Sequence, residues 1–196
     1  TQTKNMDYIN GSLYLSGMMK GGFAPYGEEE ARIASKSTPL NGFVIKCDAS
    51  NGEWLGGVSA DEQGIGGYFG VAKGKENNLY AYGYSWATPN KGICLTTIDE
   101  SSWEKTEKIA LITETGMGTA WSCLADGTNF YSFSRGNKAV NFYNSEFTLP
   151  APTGWGMFIS SWKLDDIATG IETPNLAGND TRIYGVQGGV VVNTEE

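Results

Sequence analysis

One phrase occurs three times along this chain, and an internal repeat limits the possible folds more than any single motif does. It reads Asn10-Gly11-Ser12-Leu13-Tyr14-Leu15-Ser16-Gly17, then Asn77-Asn78-Leu79-Tyr80-Ala81-Tyr82-Gly83, then Asp126-Gly127-Thr128-Asn129-Phe130-Tyr131-Ser132-Phe133. Each copy is a turn of residues that tolerate positive φ, opening onto an alternating apolar and aromatic strand. A second phrase follows each first one: Phe43-Val44-Ile45-Lys46-Cys47-Asp48, Ile93-Cys94-Leu95-Thr96-Thr97-Ile98-Asp99, and Met157-Phe158-Ile159-Ser160-Ser161-Trp162-Lys163-Leu164-Asp165. There a strand runs into an acidic turn, so Asp48, Asp99 and Asp165 are expected to correspond. Trp54–Ser59 and Lys108–Ile112 add one further strand each. The only helix-like stretch is Gly27–Ala34, long enough for one or two turns.

The composition agrees with an all-β chain. Glycine is abundant (27 of 196 residues), aromatics make up 12% and charged residues 18%, which suits short strands and tight turns. Fourteen basic residues stand against 22 acidic ones, for a net charge of -8, and no basic patch is present to follow phosphates, which argues against a nucleic-acid partner. No apolar run is long enough to span a bilayer, and the first residues carry no apolar signal, so export would require a leader already removed. Histidine is absent, which excludes His-based triads and His-containing zinc sites. Cys47, Cys94 and Cys123 form no C-x-x-C pair and read first as small buried hydrophobes. No cofactor or metal is implied.

The first unit, "Asn-Gly-x-Leu-Tyr-x-x-Gly" followed by "Phe-Val-x-Lys-x-Asp-x-x-Asn-Gly-x-x-Trp" over residues 10 to 54, resembles the bacterial β-propeller repeats, and the later units resemble them with declining fidelity. The resemblance implies β-propeller-like blades over residues 1–168, with units at about 7–62, 66–115 and 118–168. The tail at 169–196, with Gly170-Ile171-Glu172 and Ile183-Tyr184-Gly185-Val186-Gln187-Gly188-Gly189, is similar to the C-terminal sorting-type tails of exported proteins from Bacteroidetes-type bacteria. That likeness implies a β hairpin and a secreted or cell-surface location. A ring needs at least about four blades. Three units therefore call for preceding blades of a longer chain, for the tail strands as a fourth blade, or for a second chain. The start in mid-repeat at Asn5-Met6-Asp7-Tyr8 favours the first.

Candidate chemistry is sparse. The phrase-two aspartates can line a channel or hold a cation, but an Asp before Ser, Asn or Gly is usually a turn former bonding its own backbone. Gly64–Gly70 lacks the order of a phosphate loop, and the two S-x-x-K matches, at 102–105 and 160–163, lie in β context. Aromatics in insertions and at strand ends remain, and the ligand-binding candidates are Tyr26, Tyr82, Trp86 and Trp155; the alternative is that they pack between blades. The leading expectation is a non-catalytic binding module for a glycan or protein partner. The alternatives are a propeller-fold glycosidase or lyase using paired carboxylates, and a structural segment of a larger surface protein.

Overall fold

In a computed structural model of the protein, the described residues are 1–25, 29–30, 32–34, 40–60, 64–85, 91–114, 118–142, 148–164, 181–186 and 189–194. The elements among them are strands. The first sheet contains β1 (Gln2–Ile9), β2 (Ser12–Met19), β5 (Asn41–Asp48) and β6 (Trp54–Ser59), all antiparallel, with the short ribbon β3 (Gly22–Phe23) and β4 (Ile33–Ala34) inserted. The second is a meander of β7 (Ile65–Lys73), β8 (Asn78–Ser85), β9 (Gly92–Asp99) and β10 (Lys105–Glu114). The third contains β11 (Gly118–Ala125), β12 (Asn129–Gly136) and β15 (Gly156–Lys163). Between the last two of these, β13 (Val140–Phe142) and β14 (Thr148–Leu149) leave their own unit and pair on the β10 edge of the second sheet. A hairpin of β16 (Thr181–Val186) and β17 (Gly189–Thr194) closes the chain, with Ile183 opposite Val192 and Val190 opposite Gly185.

Tyr14, Tyr80 and Tyr131 are each the third residue of the second strand in their own sheet. The turns explain why. Asn10 and Gly11 both have positive φ, +48° and +81°, the geometry of the tight two-residue loop that matches strand twist. Asp126 accepts from the backbone N–H groups of Thr128 and Asn129 before β12. The third acidic position is corrected by the register. Asp48 lies opposite Ser12 and Asp99 opposite Asn78, whereas Asn129 faces Lys163, so Lys163 is the counterpart and Asp165 lies outside the described residues. The helix-like stretch is also corrected where it is described: Ile33 and Ala34 pair with Phe23 and Gly22 as strand.

Because side chains alternate, each sheet has two faces. The tyrosine face may be called leading and the other trailing. The leading face of the first sheet (Tyr14, Val44, Val58) packs on the trailing face of the second (Tyr68, Leu79, Ala81, Cys94, Ile98). The leading face of the second (Tyr80, Tyr82, Leu95) packs on the trailing face of the third (Cys123, Phe130, Phe158). A third cluster, Met19, Ile33, Phe43 and Ile45, sits under the β3–β4 ribbon on the first sheet's trailing face.

The turns after β5 and β9 are built alike. Asp48 Oδ1 accepts from Ser50 N at 2.7 Å and Asp99 Oδ1 from Ser101 N at 2.8 Å, while Gly52 N and Trp103 N donate to the carbonyls of Asp48 and Asp99. Both closing residues are left-handed, φ +77° at Gly52 and +61° at Trp103. A bulky residue in this region costs about 1–2 kcal/mol. Trp103 is kept because its indole lies against Gly56 of the first sheet, at a spot a Cβ on Gly56 would occupy. Gly56→Ala is therefore expected to destabilise the fold by about 1–3 kcal/mol through overpacking. The Gly56→Ala/Trp103→Ala double variant should lose less than the sum of the singles in urea unfolding; strictly additive losses would place the two residues apart in solution.

Candidate functional site

The four aromatic candidates have different fates. Tyr26 and Trp86 lie outside the described residues. Tyr82 is corrected: it is completely buried between the second and third sheets, its hydroxyl bonds to Ser134 Oγ, and its ring meets Phe130 at 5.8 Å. It offers no face to a ligand. Alternation places Tyr82 and Tyr84 on one face, and the third sheet covers that face.

Trp155 is half exposed, in the Pro- and Gly-containing segment before β15. The guanidinium of Arg135, on β12, lies 4.5 Å from its ring centre and 5.2 Å from that of Trp121, on β11. Trp121 is itself half exposed and meets Phe133 edge-on at 6.4 Å. A cation between two indoles gains about 0.5–1 kcal/mol per contact at a wet site and holds both rings in place. Arg135 Nε is buried without a hydrogen-bond partner. Arg135 and Met157 are direct neighbours across the sheet, as are Leu124 and Tyr131, so these residues share the third sheet's leading face. Trp121 and Arg135 are the residues that sequence reasoning missed. Arg135 was legible, since it continues the Tyr131, Phe133 alternation; Trp121 was not, because a bulge between Ala120 and Ser122 breaks the period there.

A second, polar site lies between the first two sheets, a cleft of about 400 Å³ lined by Tyr14, Lys46, Lys73 and Glu100 among others. Glu100 follows β9 and reaches across to the first sheet. Tyr14 Oη donates to its Oε1 at 2.5 Å, Lys46 Nζ pairs with the same oxygen, and Lys73 Nζ pairs with Oε2. Burial alone would raise the Glu100 carboxyl, but the bonds from Lys46, Lys73 and Tyr14 outweigh it and hold the group at about 2. Burial and the neighbouring carboxylate push the Tyr14 phenol up. One acid flanked by two ammonium groups stays ionised at neutral pH, so it is neither a general acid nor half of a carboxylate pair. Asp48 and Asp99 are occupied as turn formers, which lowers both carboxyls.

A third feature, an apolar cleft of about 470 Å³, opens on the trailing face of the first sheet. Phe23 stacks on Trp54 at 5.9 Å, and Arg32 lies over the same indole at 5.6 Å. Cys47 lines this cleft, and burial raises its thiol, as it does that of Cys123, which makes both poor nucleophiles. All three cysteines are unbridged, with Cys94 and Cys123 buried.

No family model matches this chain, and no curated protein matches it in sequence. What the site can do is therefore argued from its chemistry. Among the described residues no three His, Cys, Asp or Glu side chains gather to hold a metal, and no helix is long and apolar enough to cross a membrane. The polar cleft ties two sheets together through Glu100, and the Trp121–Arg135–Trp155 face is the candidate site.

Removing the acid of the tie leaves two lysines facing each other. Glu100→Gln is expected to destabilise the fold by about 1.5–3 kcal/mol at neutral pH, the usual value of hydrogen bonds to a charged group. A carboxyl held at about 2 contributes stability above its ordinary value of 4.5 and loses it as the pH falls toward 2, so the gap between wild type and variant should close across that window. Urea titrations at each pH measure it; a gap undiminished at the acid end would assign the loss to packing.

Proposed function

We propose that this protein is a non-catalytic binding module of the exported or cell-surface kind, and that it engages a protein partner through the leading face of its third sheet. The observation that carries this reading is the Trp121–Arg135–Trp155 cluster together with Leu124 and Met157, which are 65% and 63% exposed. Large apolar side chains around an ordered arginine are the residue types on which interface energy concentrates. Scattered exposed apolar residues would need no explanation, whereas several on one sheet face mark a contact surface. The three stacked antiparallel sheets, each with its tyrosine at the same position, support reading them as propeller-type blades. The β16–β17 hairpin, formed by the segment that resembles sorting tails, supports an exported location.

A glycan ligand is the second reading, favoured by the half-exposed indoles of Trp121 and Trp155, which can stack on sugar rings. The glycosidase or lyase alternative has less support, since the polar cleft brings one carboxylate between two lysines.

A photo-crosslinking residue at position 124 captures the partner, and a glycan array tests the carbohydrate reading. Trp121→Ala and Trp155→Ala are each expected to weaken binding about tenfold or more, and exposed Lys20→Ala to leave it unchanged. With no histidine in the chain, affinity should be flat between about pH 6 and 8. Equal affinity in both tryptophan variants would remove this face as the site.

A further inference from the structure

The repeat supplies information about what fits the third sheet. At the two internal seams, a leading face with its tyrosine at the third strand position meets a trailing face of the next sheet. Among the described residues the leading face of the third sheet joins no buried cluster, and Trp121, Leu124 and Met157 stand exposed on it. Among the described residues one trailing face is also left partly open, that of the first sheet. There Met6 lies opposite Leu15, and Tyr8 opposite Leu13, which in turn faces Cys47. Met6 is 60% and Tyr8 70% exposed. The β3–β4 ribbon covers the β5 and β6 side of that face, packing over Met19, Phe43 and Ile45 with Phe23 stacked on Trp54, and leaves the β1 side with Met6 and Tyr8 open. Among the described residues, five of the eight large hydrophobic side chains that stand exposed thus belong to these two outer faces, with Trp155 beside one of them.

We infer that the leading face of the third sheet docks on the trailing face of the first sheet of a second copy of this chain, in a head-to-tail association. The inference rests on reading the third sheet's face as a binding surface, and adds what binds there. The third sheet's leading face and the open β1–β2 side of the first sheet's trailing face are register counterparts of surfaces that already pack on each other twice within the chain. Leu13, Leu79 and Phe130 hold the same strand position on successive trailing faces, and the latter two are buried by the preceding sheet. One chain therefore presents both halves of the same kind of seam, and they cannot satisfy each other inside a stack of three. A second copy satisfies both, because a head-to-tail contact uses two different surfaces on every subunit and closes if the rotation allows.

Sedimentation equilibrium over a wide concentration range tests this with two double variants, Leu124→Glu/Met157→Glu on the leading face and Met6→Glu/Tyr8→Glu on the trailing face. All four positions are exposed, so the fold is not at stake, and circular dichroism checks that it is kept. The wild type should exceed the 21.1 kDa monomer and reach twice that mass if the ring closes on two copies. Each double variant alone should associate about 100-fold more weakly, from burying unpaired charge. An equimolar mixture of the two should regain association, because each supplies the face the other lacks. A monomeric wild type overturns the inference, as does an assembly that only the leading-face variant disrupts, since that contact would be face to itself. A monomeric wild type whose partner, once identified by crosslinking from position 124, no longer binds Leu124→Glu/Met157→Glu removes the second copy and keeps the binding reading. One in which no partner is ever captured removes both.

Discussion

The rest of this structure depends on the burial of one sheet face against another. A strand sends alternate side chains to opposite sides, so a sheet in the middle of a stack must be apolar on both. The second sheet meets that demand: β9 is buried from Gly92 through Ile98, and β8 from Leu79 through Gly83. The third sheet meets it on one side only, and β12 alternates strictly between buried and half-buried positions. Every apolar face brought out of water contributes about 25 cal/mol per Å², so the seams hold the three meanders together, and the two outermost faces are where that stabilisation is incomplete.

Much of this order was legible in the chain because it rests on local chemistry. Asn10-Gly11, Asp99 and Asp126 declare their turns, and the strand behind each turn begins where the turn ends. What was not legible depends on contacts between distant segments. Alternation told that Tyr82 and Tyr84 share a face, yet only the arrival of Phe130 and Phe158 decides that this face is buried. The adjacent glutamates before Ile33 suggest a helical turn, but the bare apolar surface of Phe43 and Met19 draws that residue into a ribbon. The departure of Val140–Phe142 to the β10 edge has no local signal, since an open edge needs a partner that sequence proximity does not specify.

The candidate surface was half visible. Trp155 stands out as a large aromatic in a segment without strand alternation, but the residues that give it a role are placed by register. Arg135 reaches it from β12, and Trp121 comes from a bulge that turns an otherwise hidden position outward. A bulge is one extra residue in one strand, and strand composition does not announce it.

The two internal seams are closed at the same place by opposite means. Leu164 N, Ala49 N and Glu100 N make the same backbone bond at the head of their sheets, to the carbonyls of Thr128, Gly11 and Asn77, so Glu100 and Leu164 are counterparts. At the first seam that position carries a carboxylate caught between Lys46 and Lys73; at the second it carries a buried leucine packed in the cluster of Tyr80. Salt weakens charge pairing, whereas salting-out ions strengthen apolar contact. Sulfate therefore acts in contrary directions on the two closures, and cooling, which weakens apolar burial, falls hardest on the second. The stack is thus a series of joints graded by solvent: ionic strength and temperature bear differently on the two closures, and so on which sheet parts from its neighbour first.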